Sequence, residues 1–321
     1  MTYARSSLVP PGAPGLYHCV SRCVRRAFLC GEDRFSGRSF EHRRQWVEGR
    51  LHELSGLFSV SLWAYAVMSN HLHVVVQVLP DVAATWSDRE VAERWVRLFP
   101  REDLNPEIRA DVLSMHADRI ALLRARLSDL SWFMRCLSEP IARRANKEDT
   151  CTGRFWEGRF KCQALLDDTA VLAAIAYVDL NPVRAKMCDT LEDSHHTSAC
   201  LRLKEIEEEV QRATIPLGPI AGMRGLAVLR MSQSEYLDLL DFTGRQIRFG
   251  KRGAIAGPAP KVLHRMGRKP EQWSNQVMAT GSGFQRAIGE VDSLIEKAKA
   301  MGQNWLRGLG TARRLENSEV R

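Results

Sequence analysis

Residues 60–78 read VSLWAYAVMSNHLHVVVQV, and this stretch constrains the chain more than any other. Two runs of β-branched, aromatic and aliphatic residues flank Ser69-Asn70, a pair suited to a tight turn. The pattern predicts strands over 60–68 and 71–78 joined as a hairpin, which commits the chain to antiparallel pairing. Inside the second strand stands His71-Leu72-His73. Side chains alternate along a strand, so both imidazoles project from one face, near enough to share one divalent cation. Leu72 goes to the opposite, core side with Val74 and Val76. Two hydrogen-bonded strand histidines with no metal would give the same pattern. A histidine-triad nucleotide site needs a third alternating histidine, and position 75 is Val. A binuclear hydrolase needs an Asp-His just downstream, and Val75-Val76-Gln77 supplies none. The HExxH of a zincin is absent. What is left is a mononuclear two-histidine site short of a ligand.

The second informative stretch is TAVLAAIAYVDLN, residues 169–181. Asp168-Thr169 is a natural N-cap, and Pro182 disfavours helical geometry in the residue before it, so a helix is predicted between them. Tyr177 and Asn181 are four apart and share a face, with Ala170, Ala173 and Ala174 on the turns before. Val171, Ile175 and Val178 form a separate apolar stripe. The tyrosine is therefore either an edge residue with its hydroxyl in water or a nucleophile. A phenol, with an ordinary pKa of about 10, can attack a phosphodiester beside a divalent cation, and the carbonyl oxygen of Asn181 could be the missing third ligand. Of the other tyrosines, Tyr3 falls in the terminus, Tyr17 and Tyr65 in strands, and Tyr236 among aliphatics in a tail helix.

Around these two features the sequence predicts a strand over 16–22, a helix over 38–57, charged helices over 81–127 and an amphipathic helix over 128–147. A loop with a short strand follows over 150–164. Beyond about residue 200, prolines and glycines punctuate short helical pieces, read as a small separate helical region behind a linker. The 321 residues are 45% hydrophobic and 26% charged, which excludes a mostly disordered chain. No apolar run approaches the ~20 residues of a membrane span. The first residues lack the apolar core of a secretory signal, so a cytoplasmic protein is expected. Cys19, Cys23, Cys30, Cys136, Cys151, Cys162, Cys188 and Cys200 form no CxxC pair and read as reduced, buried small hydrophobes. Residues 245–321 hold fifteen Lys/Arg and six Asp/Glu, leaving 31 of the 46 basic and 32 of the 38 acidic residues to the rest. The tail is the basic part, either a grip on phosphates or a solvated face.

Arg154, Phe155, Trp156, Arg159, Phe160 and Lys161 interleave cations with aromatics, as contacts to unpaired bases and phosphates require. In the alternative, the phenylalanines are core anchors and only the arginines are exposed. Arg184, Arg22, Arg25 and Arg26 are further phosphate contacts. His18 reads as a hydrogen-bonded strand histidine, and His195-His196 as a solvated loop pair.

AYAVMSNHLHVVV, GRFWEGRFKC and AYVDLNPVRA, in that order, resemble the single-tyrosine HUH transposases, and among them the REP-associated tyrosine transposases; YHCVSRCVRR resembles their opening strand. The resemblance spans residues 14–190, with Ser69 where a proline is common. It implies an α+β fold: a ferredoxin-like antiparallel sheet with helices on one or both faces. The catalytic domain would be residues 1–200 with a helical insertion at 81–127, followed by a basic, mostly helical region over 201–321. It implies that Tyr177 attacks a scissile phosphate of single-stranded or hairpin DNA, forming a 5′-phosphotyrosine link and a free 3′-OH. By the same resemblance His71 and His73 bind Mg²⁺ or Mn²⁺, and Asn181 stands at a third, amide ligand position. The helix bearing Tyr177 could serve its own subunit or that of a homodimer partner. A catalytically silent nucleic-acid-binding regulator on the same fold is the alternative, suggested by the basic tail. A metal-dependent hydrolase of small molecules is a third reading, for which no further acid, base or glycine loop is in evidence near the histidines.

Overall fold

The computed structural model describes residues 5–24, 29–33, 37–223, 229–248, 259–281 and 285–317. A first turn, α1 (Arg5–Leu8), leads into β1 (Gly15–Arg22), α2 (Arg43–Leu57) and the hairpin β2 (Val60–Val67) and β3 (His71–Val78). The insertion holds α3 (Pro80–Thr85), α4 (Asp88–Leu98), α5 (Pro106–Ser114) and α6 (Ala117–Leu127). Then come α7 (Leu130–Glu148), β4 (Lys161–Leu165), α8 (Asp168–Asp179), α9 (Asn181–Arg184) and α10 (Ser198–Glu208). The remainder comprises β5 (Pro216–Leu217), β6 (Ala221–Gly222), β7 (Leu229–Ser232), α11 (Gln233–Arg248), α12 (Lys261–Arg265), α13 (Pro270–Gly281), β8 (Ala287–Ile288), α14 (Val291–Ala300) and α15 (Leu309–Asn317).

The sheet is ferredoxin-like at its centre. β1 lies between β3 and β4, and β2 flanks β3, all antiparallel. The turn at Ser69-Asn70 is closed by Met68 N–H donating to the His71 carbonyl at 2.9 Å. α2 starts later than the 38 expected from sequence. Ser39 is held in a bridge to Glu32, and Phe40 N–H donates to the Gly31 carbonyl, so this stretch is extended.

Helices cover both faces. Period-2 alternation sends Tyr17, Cys19, Leu72, Val74 and Val76 to one face, where α2 (Val47, Leu51, Leu54), α6 (Leu123) and α7 (Phe133, Leu137) bury them. An irregularity between Leu62 and Ala64 shifts the phase of β2. Leu62 and Tyr65 therefore share the first face, while Trp63, Ala64 and Ala66 turn to the other with Val75 and Leu165. That second face packs against α8, α11 and α13. The four helices of residues 81–127 are locally determined: Ser87 and Glu90 form a capping box for α4, and the Asn105 side chain caps α5.

The residues beyond 200, expected as a separate region, take part in the same sheet. β6 pairs with β2 on one edge and β8 runs parallel to β4 on the other. α13 packs on α8, and its Trp273 is buried with Nε1 donating to Thr243 Oγ1 of α11 at 2.8 Å. Strands of two residues have no readable period, which is why the sequence pattern missed them. Among the described residues, no helix is long and apolar enough to cross a membrane.

Candidate active site

Register decides which side chains meet. Val20 of β1 faces His73 and Lys161, His18 faces Val75 and Gln163, and Arg22 faces His71. Directly opposed residues share a face, so His18, Arg22, His71, His73, Lys161 and Gln163 all emerge on the side covered by α8. There they line a cleft of about 500 Å³ with Val20, Glu157, Gly158, Arg159, Tyr177, Thr280 and Gly281.

The hydrogen bonds run as a chain. Asn181 Nδ2 lies 3.2 Å from His73 Nε2, His73 Nδ1 lies 2.9 Å from His18 Nε2, and His18 Nδ1 lies 2.7 Å from Gln163 Oε1. Gln163 Nε2 then donates to the Thr280 carbonyl at 3.4 Å. His71 is held separately, its Nδ1 at 2.6 Å from Asn70 Oδ1. All three imidazoles are neutral at pH 7. Burial pushes His18 down to about 4, and burial with the nearby Arg22 does the same for His71. His73 is driven well below the usual range by burial first, then by His18, His71 and Arg184.

Tyr177 reaches the same place from α8. Its ring lies 5.7 Å from that of His73 and 5.9 Å from that of His18, edge-on to both. Among the described residues its hydroxyl has no hydrogen-bond partner, and it lines the cleft. The Arg184 guanidinium sits 4.6 Å over the phenol ring. α13 closes on the opposite side so tightly that a Cβ at Gly281 would overlap the Tyr177 ring and hydroxyl.

α8 differs in detail from its sequence reading. Its cap is Asp167, which accepts from Ala170 N–H at 2.8 Å, and it ends at Asp179 with Leu180 as C-cap. Asn181 thus opens α9 rather than closing α8, yet it still faces His73. Asp179 anchors the junction. It is fully buried and accepts from Ser198 Oγ, from Ala199 N–H at 2.9 Å and from Tyr236 Oη at 2.5 Å. Burial raises its pKa, the three donors opposing.

The donor set suits a divalent cation. His71 and His73 each engage Nδ1 with a neighbour, so Nε2 is the nitrogen each could offer an ion; that of His73 now meets the Asn181 amide nitrogen, which would have to turn its oxygen to the ion for the three to bind together. Among the described residues no group of three His, Cys, Asp or Glu side chains could hold a metal ion.

The remaining sequence-predicted residues divide. Arg22, Arg159 and Lys161 line the cleft and are exposed, with Glu157 the acid among them. Arg25 and Arg26, like Tyr3, lie outside the described residues. Arg154 is exposed but is not a cleft residue. Trp156 is half-buried, its indole N–H donating to the Ser138 carbonyl of α7 at 2.8 Å and its ring edge-on to the buried Phe155. Phe160 is half-buried under the Arg5 guanidinium, 3.6 Å away. Of the expected solvated pair His195 is exposed, while His196 is half-buried. It pairs with Glu48 at 2.7 Å, and the same carboxylate accepts from Tyr65. Six of the eight cysteines are buried, Cys151 is exposed and Cys188 half-buried. Sequence reasoning did not bring Gln163, Thr280 or Gly281 to the site, and it separated His18 from His73. Only the pairing of β1 with β3 shows that His18 shares the face of His71 and His73.

No family model matches the chain. No curated protein matches it either. Among solved structures it is similar to a REP-associated tyrosine transposase bound to a REP hairpin, at 13% identity. That alignment covers 68% of this chain and 91% of the other, with a TM-score of 0.36.

Proposed function

We propose that the chain is a metal-dependent DNA strand transferase of the transposase type, which cuts and rejoins one strand through Tyr177. One observation carries the reading. A phenol from α8 and two neutral imidazoles from β3 meet in one cleft lined by Arg22, Arg159 and Lys161, with the Asn181 amide of α9 behind His73 and the Arg184 guanidinium over the phenol ring. The cations would hold a phosphodiester, and Tyr177, only 8% exposed, is within reach of a flexible unpaired strand rather than a rigid duplex. In the reaction Tyr177 Oη bonds to phosphorus and the P–O3′ bond breaks, giving a 5′-phosphotyrosine link and a 3′-OH. The phenolic proton leaves to water in the cleft, and the departing oxygen takes one up. Ester energy stays in the link, so attack by a 3′-OH reverses the step without ATP. Mg²⁺ or Mn²⁺ held by His71 and His73, with Asn181 beside them, would polarise the phosphate and stabilise the leaving oxygen.

The test uses end-labelled, hairpin-bearing single strands with Mg²⁺ or Mn²⁺. Wild type should form a denaturant-resistant protein–DNA adduct. Tyr177→Phe should form none, and His71→Ala with His73→Ala should lower the rate by at least ~100-fold. An adduct in Tyr177→Phe would refute the nucleophile. Binding without any adduct, whatever the metal, would favour the silent regulator.

A further inference from the structure

We propose that His18 is a positioning residue that fixes the tautomer of His73, and that it takes its own orientation, through Gln163, from helix α13. The inference rests on the reading of His73 as a metal ligand. The Thr280 carbonyl can only accept, so the end of the Gln163 amide facing it is Nε2. Oε1 is then the end facing His18, and it too can only accept, so His18 carries its proton on Nδ1. A neutral imidazole has one N–H, which leaves His18 Nε2 bare. His73 Nδ1, 2.9 Å away, must therefore be protonated, and the bare nitrogen of His73 is Nε2. That is the nitrogen beside the Asn181 amide, whose Nδ2 donates to it. The polarity of one backbone carbonyl in α13 thus sets the side on which His73 offers its lone pair.

Geometry and burial make the setting firm. The two imidazoles are 14° from parallel with centroids 5.1 Å apart, and His18, His73, Gln163 and Thr280 are all buried, so water is a poor competitor for these bonds. The fold itself does not require this arrangement. His18 stands opposite Val75, where an aliphatic side chain would pack without burying polar atoms.

The experiment is two-bond ¹H–¹⁵N spectroscopy of the full chain, histidine-labelled and metal-free at pH 7.5, with Mn²⁺ affinity measured by calorimetry on the same samples. Wild-type His73 should show a protonated Nδ1 and a bare Nε2. In His18→Leu the His73 signals should become a mixture of tautomers, and Mn²⁺ affinity should fall roughly 10–100-fold. His18→Gln, whose amide can accept from His73 and donate to Gln163, should restore both to within about threefold. Gln163→Met, a milder change, should also mix the tautomers. The proposal is overturned if His73 keeps a pure Nδ1–H tautomer and full Mn²⁺ affinity in His18→Leu and Gln163→Met, or if His18→Gln rescues nothing. A wild type with the opposite tautomer also overturns it. A wild type with the stated tautomer that binds no Mn²⁺ upholds the chain of bonds and removes the metal reading instead.

Discussion

The two faces of the sheet meet their helices differently. Under α2, α6 and α7 the contacts are mostly apolar: Val47, Leu51, Phe58, Val74, Val76, Phe133 and Leu137 bury one another, and the Tyr65 hydroxyl reaches Glu48 of α2. Under α8 and α13 the same sheet carries His18, His73 and Gln163 into the interior and matches them with Asn181 and a backbone carbonyl. The difference teaches a division of labour. One face holds the molecule together by removing apolar area from water, where a lost methyl group costs stability but leaves no chemistry altered. The other must satisfy every donor and acceptor, so small errors there alter chemistry before they alter stability.

That division can be attacked in order of expected effect. The largest effect belongs to the apolar face. Phe133, fully buried and edge-on to Phe58 at 5.6 Å, should cost about 3–5 kcal/mol when changed to Ala, read as a lower guanidinium midpoint. Adduct formation per folded molecule should not change, and a parallel loss of activity would show that the faces are coupled. Next comes pH, in metal-free protein. His18 titrates near 4 when folded and near 6.5 when unfolded, so the unfolded chain binds more protons between those values. Its contribution, roughly 3 kcal/mol, is present above pH 6.5 and lost as pH falls towards 4. His71 acts in the same direction, and Asp179, raised by burial, in the opposite one. Urea titrations across this window should show the decline, and His18→Gln should shrink it.

A smaller stability effect with a larger chemical one is expected at Gly281. Alanine there overlaps the phenol of Tyr177, and relief by repacking should cost about 1–3 kcal/mol. The rate of adduct formation should fall at least ~10-fold. A variant that cuts as well as wild type would mean that the phenol has room the contacts deny. The least effect is at the rim. Arg159→Ala should weaken single-strand binding a few-fold, lower the salt slope by about 1 and leave unfolding unchanged. An unaltered salt slope would remove Arg159 from the phosphate path.

What the sequence disclosed follows from the range over which each signal acts. The hairpin and the shared face of His71 and His73 are matters of period two within a few residues, and the structure has them as expected. Tyr177 and Asn181 were brought together by helical spacing, although Asn181 belongs to the next turn. Asp167 and Asp168 both qualify as caps by residue type, and the reading took the second where the structure uses the first. The chain from His73 to Thr280 was invisible, because its links join β3, β1, β4 and α13 and depend on pairing register. Trp156 shows what such a pattern leaves out. Alternation of aromatics and cations looked like a surface for bases, but the indole N–H found a carbonyl of α7.

Both outermost strands of the sheet, β6 and β8, are two residues long and come from beyond residue 200. Such stubs leave little backbone for a neighbouring molecule to pair with. A shortened chain ending at residue 200 would bare Ser61 and Leu62 of β2 and Ala164 and Leu165 of β4, lengthening both open edges, and it would be expected to clump through them in the cell rather than persist as a smaller catalyst.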